Sequence, residues 1–479
     1  MLKPKRRPKL TTGQKSMERR LQILTLGCSK NRVDSEHLLS LLSPHYTIVP
    51  EDEGWEPGAS AVSDGAVGVS DGALAADGAS MDVVLINTCG FIGDAKEESI
   101  NCILEQVERK KNGAVGRVVV FGCLSERYAD EMPNLIPEVD AWFGARDFDP
   151  LLRYLGATPD FASAGRWLTT PAHYAFLKIS EGCDRRCSYC AIPFIRGRHI
   201  SIPIERLVAE ARELAEKGVK ELIVVAQDTT YYGLDLYRRR ALGELLQALS
   251  AIDGIEWIRI HYSYPDDFPE DVIEQMANNP KVCAYMDIPL QHISDKVLTA
   301  MHRGVTGAWT RELIRHMREK VPGLVLRTTL IVGHPGEGEE EFEELLDFVR
   351  EARFERLGAF QYSEEEGTYA ARNLPDTVSP EEKQRRYDAL MSLQSEISRA
   401  CNEARVGTTE EVIVDSFTDG VLVCRSRSES PEVDGEILVG VQSPLLEGVD
   451  PYCLVGEIIT VTITGADDYD LCAEIEKLF

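Results

Sequence analysis

Three cysteines spaced C-x3-C-x2-C lie in the run GCDRRCSYC, at Cys183, Cys187 and Cys190, directly after the apolar, strand-like stretch His173–Ile179. Thiolates are the ligands of iron–sulfur clusters, and a four-iron cluster normally takes four of them. Three in one short loop leave the fourth iron open to a ligand that is not protein. A zinc knob is the competing reading. It asks for a fourth Cys or His at finger-like distance, and the nearest candidate, His199, is nine residues beyond Cys190.

Tyr189, just before the last cysteine, is placed to pack against a flat ring held at the open iron. The loop resembles that of the radical S-adenosylmethionine (SAM) enzymes. The resemblance implies that the open iron chelates the methionine end of SAM, and that one electron cleaves it to a deoxyadenosyl radical.

The elements before this loop present a second set of thiols. Three apolar runs, LQILTLGC, MDVVLINTC and RVVVFGC, read as strands and end at Cys28, Cys89 and Cys123. A helical stretch follows each, beginning near Asp34, Ala95 and Ser125. Strand, loop and helix three times over predict a parallel α/β sheet, and such sheets bind ligands beyond the C-terminal ends of their strands. The three cysteines then share one edge of one sheet, although 61 and 34 residues separate them. A lone cysteine after a buried strand is most often a small core hydrophobe; three at one topological position predict a second cluster, again with an open iron.

The flanking stretches TLGCSKNRVDSE (Thr25–Glu36) and INTCGFIGDAKEESI (Ile86–Ile100) resemble the methylthiotransferases, and the resemblance covers almost the whole chain from about Leu21. ISEGCDRRCSYCAIPFIRGRHIS, IVVAQDTTYYGLDLY, MDIPLQHISDKVL and YSEEEGTYA are similar to the branch that methylthiolates the β-carbon of an aspartate in small-subunit ribosomal protein S-twelve. Sister branches modify an adenosine of transfer RNA. The resemblance implies a catalytic 4Fe–4S cluster on Cys183, Cys187 and Cys190 that binds SAM. It implies a second 4Fe–4S cluster on Cys28, Cys89 and Cys123, with sulfide or polysulfide as the sulfur source. An outside one-electron donor completes the set. The target carbon is unactivated, out of reach of acid–base groups but open to hydrogen abstraction by a carbon radical. The substrate loop must then reach between the two clusters, which requires the amino-terminal module to dock over the mouth of the central domain.

That domain, from about Arg166 to Val378, alternates strands and helices. Candidate strands are Tyr174–Ile179, Glu221–Ala226, Trp257–Tyr262, Ala284–Ile288, Val325–Val332 and Leu357–Gln361. Six such repeats predict a partial (β/α)6 barrel with its site at the C-terminal strand ends. Polar residues there, Gln227, Asp228, His261, Ser263, Gln291 and Gly333, join Tyr189 as candidates to surround SAM. LIVGHPGE approximates a glycine-rich motif of radical SAM enzymes, with Glu337 one place late.

Ser379, Pro380 and Glu382 form a capping box with proline at the first helical position, opening a linking helix over Ser379–Val406 that Gly407 stops. Short period-two strands follow (EEVIVDSF, GVLVCRSR, GEILVGV, EIITVTITG) and predict a small antiparallel barrel. It resembles the OB-like TRAM domain found at this place in methylthiotransferases, and RSRSESPEVDG and ADDYDL again resemble the protein-modifying branch, with Ser430 where alanine is more usual. Ala404–Phe479 holds four basic and sixteen acidic residues, a net charge of −12. Such a barrel would repel a phosphate backbone, so no direct grip on nucleic acid is expected, and a basic protein partner is.

Whole-chain properties agree. At 479 residues with 43% hydrophobic and 27% charged residues, the chain reads as two or three globular domains. The expected units are a disordered basic tail over 1–20, a cluster module over 21–150 with a disordered insertion at 51–80, a radical SAM domain over 166–400 and a TRAM domain over 404–479. The insertion repeats Ser-Asp-Gly-Ala without apolar periodicity. The basic amino-terminus lacks the apolar core of a signal peptide, Met17 is an alternative start, and no run of about 18 apolar residues predicts a membrane span. Twelve cysteines, six of them in metal-ligand contexts, point to a reducing cytoplasm. The remaining readings are a transfer-RNA methylthiotransferase, disfavoured by the acidic barrel, and an iron–sulfur electron carrier or scaffold, which has no use for open irons.

Overall fold

The computed structural model describes residues 19–51, 81–161 and 164–478. The basic tail to residue 18 and the insertion from 52 to 80 lie outside the described residues. The first sheet is wholly parallel, in the order β2-β1-β3-β4-β5, with β1 at Arg20–Thr25, β2 at Thr47–Val49, β3 at Met81–Thr88, β4 at Val115–Gly122 and β5 at Ala141–Trp142. Helices α1 (Ser29–Leu42), α2 (Gly93–Lys111) and α3 (Cys123–Arg127) follow β1, β3 and β4. Side chains alternate across a strand. Val84, Ile86, Val118 and Val120 therefore pack with Ile103 and Val107 of α2 on one face. Leu85, Val119 and Phe121 pack with Leu38, Leu39 and Leu42 of α1 on the other. Burial on both faces explains the unbroken apolar runs. α1 begins five residues before Asp34, with Cys28 as its N-cap, and Cys123 is itself the first residue of α3.

The second sheet starts with β6 (Tyr174–Lys178), followed by a short antiparallel pair, β7 (Ser180–Glu181) and β8 (Ile200–Ser201). It continues through β9 (Glu221–Val225), β10 (Trp257–Ile260), β11 (Val282–Asp287), β12 (Val325–Val332) and β13 (Arg356–Gln361). The six strands are parallel and lie in chain order, an open partial barrel. Its outer face carries the largest core, where Ala175, Leu177, Leu222 and Val224 meet the crossover helices. On its inner face Tyr174, Phe176, Ile223 and Val225 pack against Val33 of α1. At the far edge Glu365, beyond β13, pairs with Lys96 of α2 and Arg127 of α3, each at 2.8 Å. The amino-terminal module thus spans the mouth from β6 to the loop after β13.

The helix Pro380–Glu403 is capped by Ser379, whose hydroxyl accepts from the Glu382 N–H, while the Glu382 carboxylate pairs with Arg385 and Arg386. It leads to a closed five-stranded barrel of β14 (Thr409–Thr418), β15 (Val421–Ser426), β16 (Ile437–Gly440), β17 (Ile458–Ala466) and β18 (Leu471–Leu478). Every pair is antiparallel except β16–β18. β18 goes beyond the four strands expected; Leu471, Ala473 and Ile475 point into the core while Cys472, Glu474 and Glu476 alternate outward.

This small barrel plugs the N-terminal strand ends of the large one, opposite the cysteine loop. Ile413 and Ile458 pack on Trp257, Cys283, Tyr285 and Val325. Buried Glu221 accepts from Arg259 and Arg425, both at 2.8 Å, Asp415 pairs with Arg425 and His173, and Asp434 accepts from the Tyr285 hydroxyl. Several of the barrel's acidic groups are therefore consumed at an internal seam. Along this seam the small barrel shares a buried cluster with the large one, beside a core of its own. Burial opposes ionisation of Glu221, but Arg425 and Arg259 outweigh it and hold its carboxyl below the usual range. The stabilisation is present at neutral pH and fades as the pH falls through that depressed value. Glu221→Ala leaves two buried guanidinium groups without their shared counter-ion, an expected cost of about 3–5 kcal/mol, read as a lower midpoint in denaturant unfolding.

Candidate functional site

Cys28, Cys89 and Cys123 end the adjacent strands β1, β3 and β4, so strand order carries them to one edge. Asn31, in the first turn of α1, ties two of them together. Its Oδ1 lies 4.0 Å from Cys28 Sγ and 3.8 Å from Cys123 Sγ, and its Nδ2 donates to the carbonyls of Leu26 and Thr88. Gly27, at φ +94°, brings the chain so close to the second thiol that a Cβ there would sit 2.8 Å from Cys89 Cβ. Burial pushes the Cys89 thiol up to about 12 and raises Cys123 as well. Burial would also raise Cys28, but the charges of Lys30 and Arg196 and the N–H groups of Asn31 and Lys30 lower it. Three thiols crowded and half-buried or buried in this way suit a cationic centre, which deprotonates the sulfurs it binds.

The second triad sits in a loop pinched at its neck by the β7–β8 pair. Gly182, at φ +76°, makes the pinch possible, since a Cβ would fall 2.1 Å from the Arg198 carbonyl oxygen. The Cys183 N–H donates to the Gly197 carbonyl and the Ser188 N–H to that of Met301. Cys187 Sγ lies 3.6 Å from Arg303 Nη1 and 3.9 Å from the Tyr264 hydroxyl. Arg185 and Arg303 both stack on the Tyr264 ring, at 3.9 and 4.1 Å from its centroid. Burial pushes Cys183 up to about 12 and Cys190 higher still. Among the described residues no three Cys, His, Asp or Glu side chains converge on a single metal ion. His199 bonds Ser201 through Nε2 and packs on Tyr231, at the β7–β8 neck. A cubane instead binds each cysteine through a different iron, a donor set these loops fit.

The segments that carry the two triads meet. Cys123 packs with Ala191, directly after Cys190, and with Ile195. Arg196 leaves the second loop to donate to Cys123 Sγ at 3.2 Å and to Asn31, and pairs with Asp34 at 2.8 Å. Lys178, the last residue of β6, pairs with Asp34 and with Glu181. Burial would raise the Glu181 carboxyl, but Lys178 and Arg196 hold it down at about 2. This buried ion network clamps the amino-terminal module onto the barrel.

A radical SAM superfamily model matches residues 177–349, a TRAM-domain model residues 406–475, and a model of the uncharacterized protein family UPF0004 residues 66–144. The ribosomal protein uS12 methylthiotransferase RimO of Bacteroides thetaiotaomicron is 49% identical over 458 residues, 95% of this chain and 98% of that protein. Its counterpart in Porphyromonas gingivalis is 49% identical over 459 residues, 95% and 99% of the two chains. This chain belongs to the RimO family of methylthiotransferases. Among solved structures, the radical SAM methyltransferase TsrM from Kitasatospora setae covers 71% of this chain and 73% of that chain at a TM-score of 0.47 and 16% identity. RimO-family proteins are radical SAM enzymes, with SAM and 4Fe–4S clusters as cofactors.

Against that chemistry the strand-end candidates divide. Gln227 and Gln291 each leave a buried side-chain carbonyl oxygen without a partner, Gln227 donating to Glu181 and Gln291 standing at φ +74°. Tyr189 meets Arg303 through its hydroxyl and the His334 ring through its edge. Asp228 is taken up by Arg185 and Thr230. Gly333 donates to Glu337, and a Cβ on it would fall 2.4 Å from Lys383 Cγ; Glu337 itself pairs with Arg386. His261 bonds Ser430 of the small barrel, burial pushing its imidazole down to about 3, and Ser263 bonds Thr229. Asn31, Asp34, Lys178, Arg185, Arg196 and Arg303 escape sequence reasoning. Their partners lie far away in the chain, and no spacing rule signals them.

Proposed function

We propose that this chain methylthiolates the β-carbon of an aspartate in ribosomal protein uS12. In this reading Cys183, Cys187 and Cys190 hold the 4Fe–4S cluster that binds SAM, and Cys28, Cys89 and Cys123 hold the cluster that carries the sulfur. The observation that supports it most is the packing of Cys123 on Ala191, the neighbour of Cys190. A substrate carbon that loses hydrogen at one centre must receive sulfur from the other without leaving the chamber. When bound, the clusters and SAM supply one-electron reduction, hydrogen abstraction and the methylthio group. The protein supplies position and exclusion of water: the Arg196–Asp34–Lys178 network fixes one module over the other, and Tyr189, Gln227 and Gln291 offer polar contacts to SAM. Asp228 acts by fixing Arg185, and Gly333 by admitting Lys383. The reaction needs a low-potential one-electron donor and suits the cytoplasm, where thiols stay reduced.

Reconstituted holoenzyme with reductant, SAM and uS12 is expected to add one methylthio group to one aspartate, read by mass spectrometry of uS12 peptides. Unmodified uS12 beside methylthiolated adenosine in a transfer-RNA digest would move the assignment to the sister branch.

A further inference from the structure

An aspartate entering this chamber carries a carboxylate one bond from the carbon that reacts, and an unpaired charge is costly where water is excluded. Most cations that face the chamber are already committed. Lys178 and Arg196 share Asp34 and Glu181. Arg185 is held by Asp228 and Asp266, and Arg327 by Asp287 and Asp434. Arg303 is spent on the Pro289 carbonyl, Cys187 and Tyr189. Lys30 differs. Among the described residues no carboxylate lies within 4.0 Å of its Nζ, which stands 3.4 Å from the centroid of the Tyr262 ring.

Tyr262 lies two residues beyond β10, and its ring packs on Val33, Phe176 and Val225 on the inner face of the sheet. Its backbone is left-handed at φ +59°, a conformation costly to any residue with a Cβ and one found where function over-determines the geometry. The N–H donates to Asp287 Oδ2 at 2.9 Å, and the carbonyl accepts from Thr229 N–H at 3.1 Å. The strained turn holds the Tyr262 ring under the ammonium, with its hydroxyl also in reach, and an ammonium with three N–H donors keeps others to point elsewhere. Lys30 is also two residues from Cys28, beside the proposed source of sulfur.

We infer that Lys30 binds the carboxylate of the target aspartate and makes the site selective for aspartate over its amide; this rests on the uS12 reading above. The test compares holoenzyme with its Lys30→Met and Lys30→Arg variants, each against uS12 and against uS12 whose target aspartate is replaced by asparagine. Dissociation constants and kcat/KM are measured, with iron content as a check on the clusters. Wild-type enzyme is expected to prefer the aspartate form by about 30-fold or more, the scale of a desolvated charge pair. Lys30→Met should bind both forms about equally, and Lys30→Arg should keep most of the preference. A Lys30→Met enzyme that retains the wild-type ratio overturns the inference. So does a loss that appears in SAM affinity with the ratio unchanged, since the lysine would then serve the carboxylate of SAM. If Lys30→Met loses iron, Lys30→Gln carries the same comparison. Wild-type enzyme that leaves uS12 unmodified refutes the substrate reading itself and is thereby told apart from a failure of the lysine.

Discussion

Cys187→Ala is expected to abolish deoxyadenosine formation from SAM while about half of the iron remains. Two thiolates cannot retain a cluster that already has one ligand fewer than usual, so iron should fall from roughly eight to roughly four atoms per chain. The fold should survive. The loop stays pinned by the Cys183–Gly197 and Ser188–Met301 backbone bonds and by the β7–β8 neck. Arg303 keeps its bonds to Pro289 and Tyr189 and its stacking on Tyr264. Chromatographic assay of deoxyadenosine and methionine, beside iron analysis, checks both halves. SAM cleavage at the wild-type rate by this variant would remove the cysteine from the SAM site.

Replacing Cys28, Cys89 and Cys123 together by alanine should give the complementary phenotype, with the same loss of iron, SAM cleavage retained and no methylthiolated uS12. The three thiols hang on one sheet edge, and Asn31, the partner of Cys28 and Cys123, is also anchored by the carbonyls of Leu26 and Thr88. Arg196 keeps Asp34 and Glu181 when Cys123 Sγ is gone, so the module should remain docked. Methylthiolated product from the triple variant would refute the sulfur-carrying role. A variant that stops cleaving SAM would show instead that the two centres depend on each other, which the shared contact of Cys123 with Ala191 makes the outcome to watch.

Much of this was legible because the signals are local. The six barrel strands fall within two residues of their expected ends, since buried parallel strands are unbroken apolar runs between turn residues. Strand-end logic places Cys28, Cys89 and Cys123 at one sheet edge, and the strand order β1-β3-β4 agrees. β18 carries a period-two alternation of its own, but Glu474, Glu476 and Lys477 on its outer face mask it as a charged tail. Helix α1 starts five residues early because Cys28 serves as its N-cap without a side-chain hydrogen bond, so none of the usual capping residues announces it.

By itself, then, the sequence determined the fold class and the candidates for the chemistry: a parallel sheet, a partial barrel and a small barrel, with one thiol triad, a ligand short of a four-iron cluster, proposed for each of the first two. Covalent spacing and period are properties of short stretches, and short stretches carry them. Only the tertiary structure decided what surrounds that chemistry. Lys178 reaches Asp34 across 144 positions and Arg196 reaches Asn31 across 165. The acidic terminal barrel turned out to spend Asp415 and Asp434 on the barrel it plugs. Lys30 stood out as a cation with no carboxylate beside it, among the described residues, only once Lys178, Arg185, Arg196, Arg303 and Arg327 had been traced to their partners. Net charge and residue type are additive along a chain, whereas pairing depends on which groups burial brings together and leaves with no water to answer them.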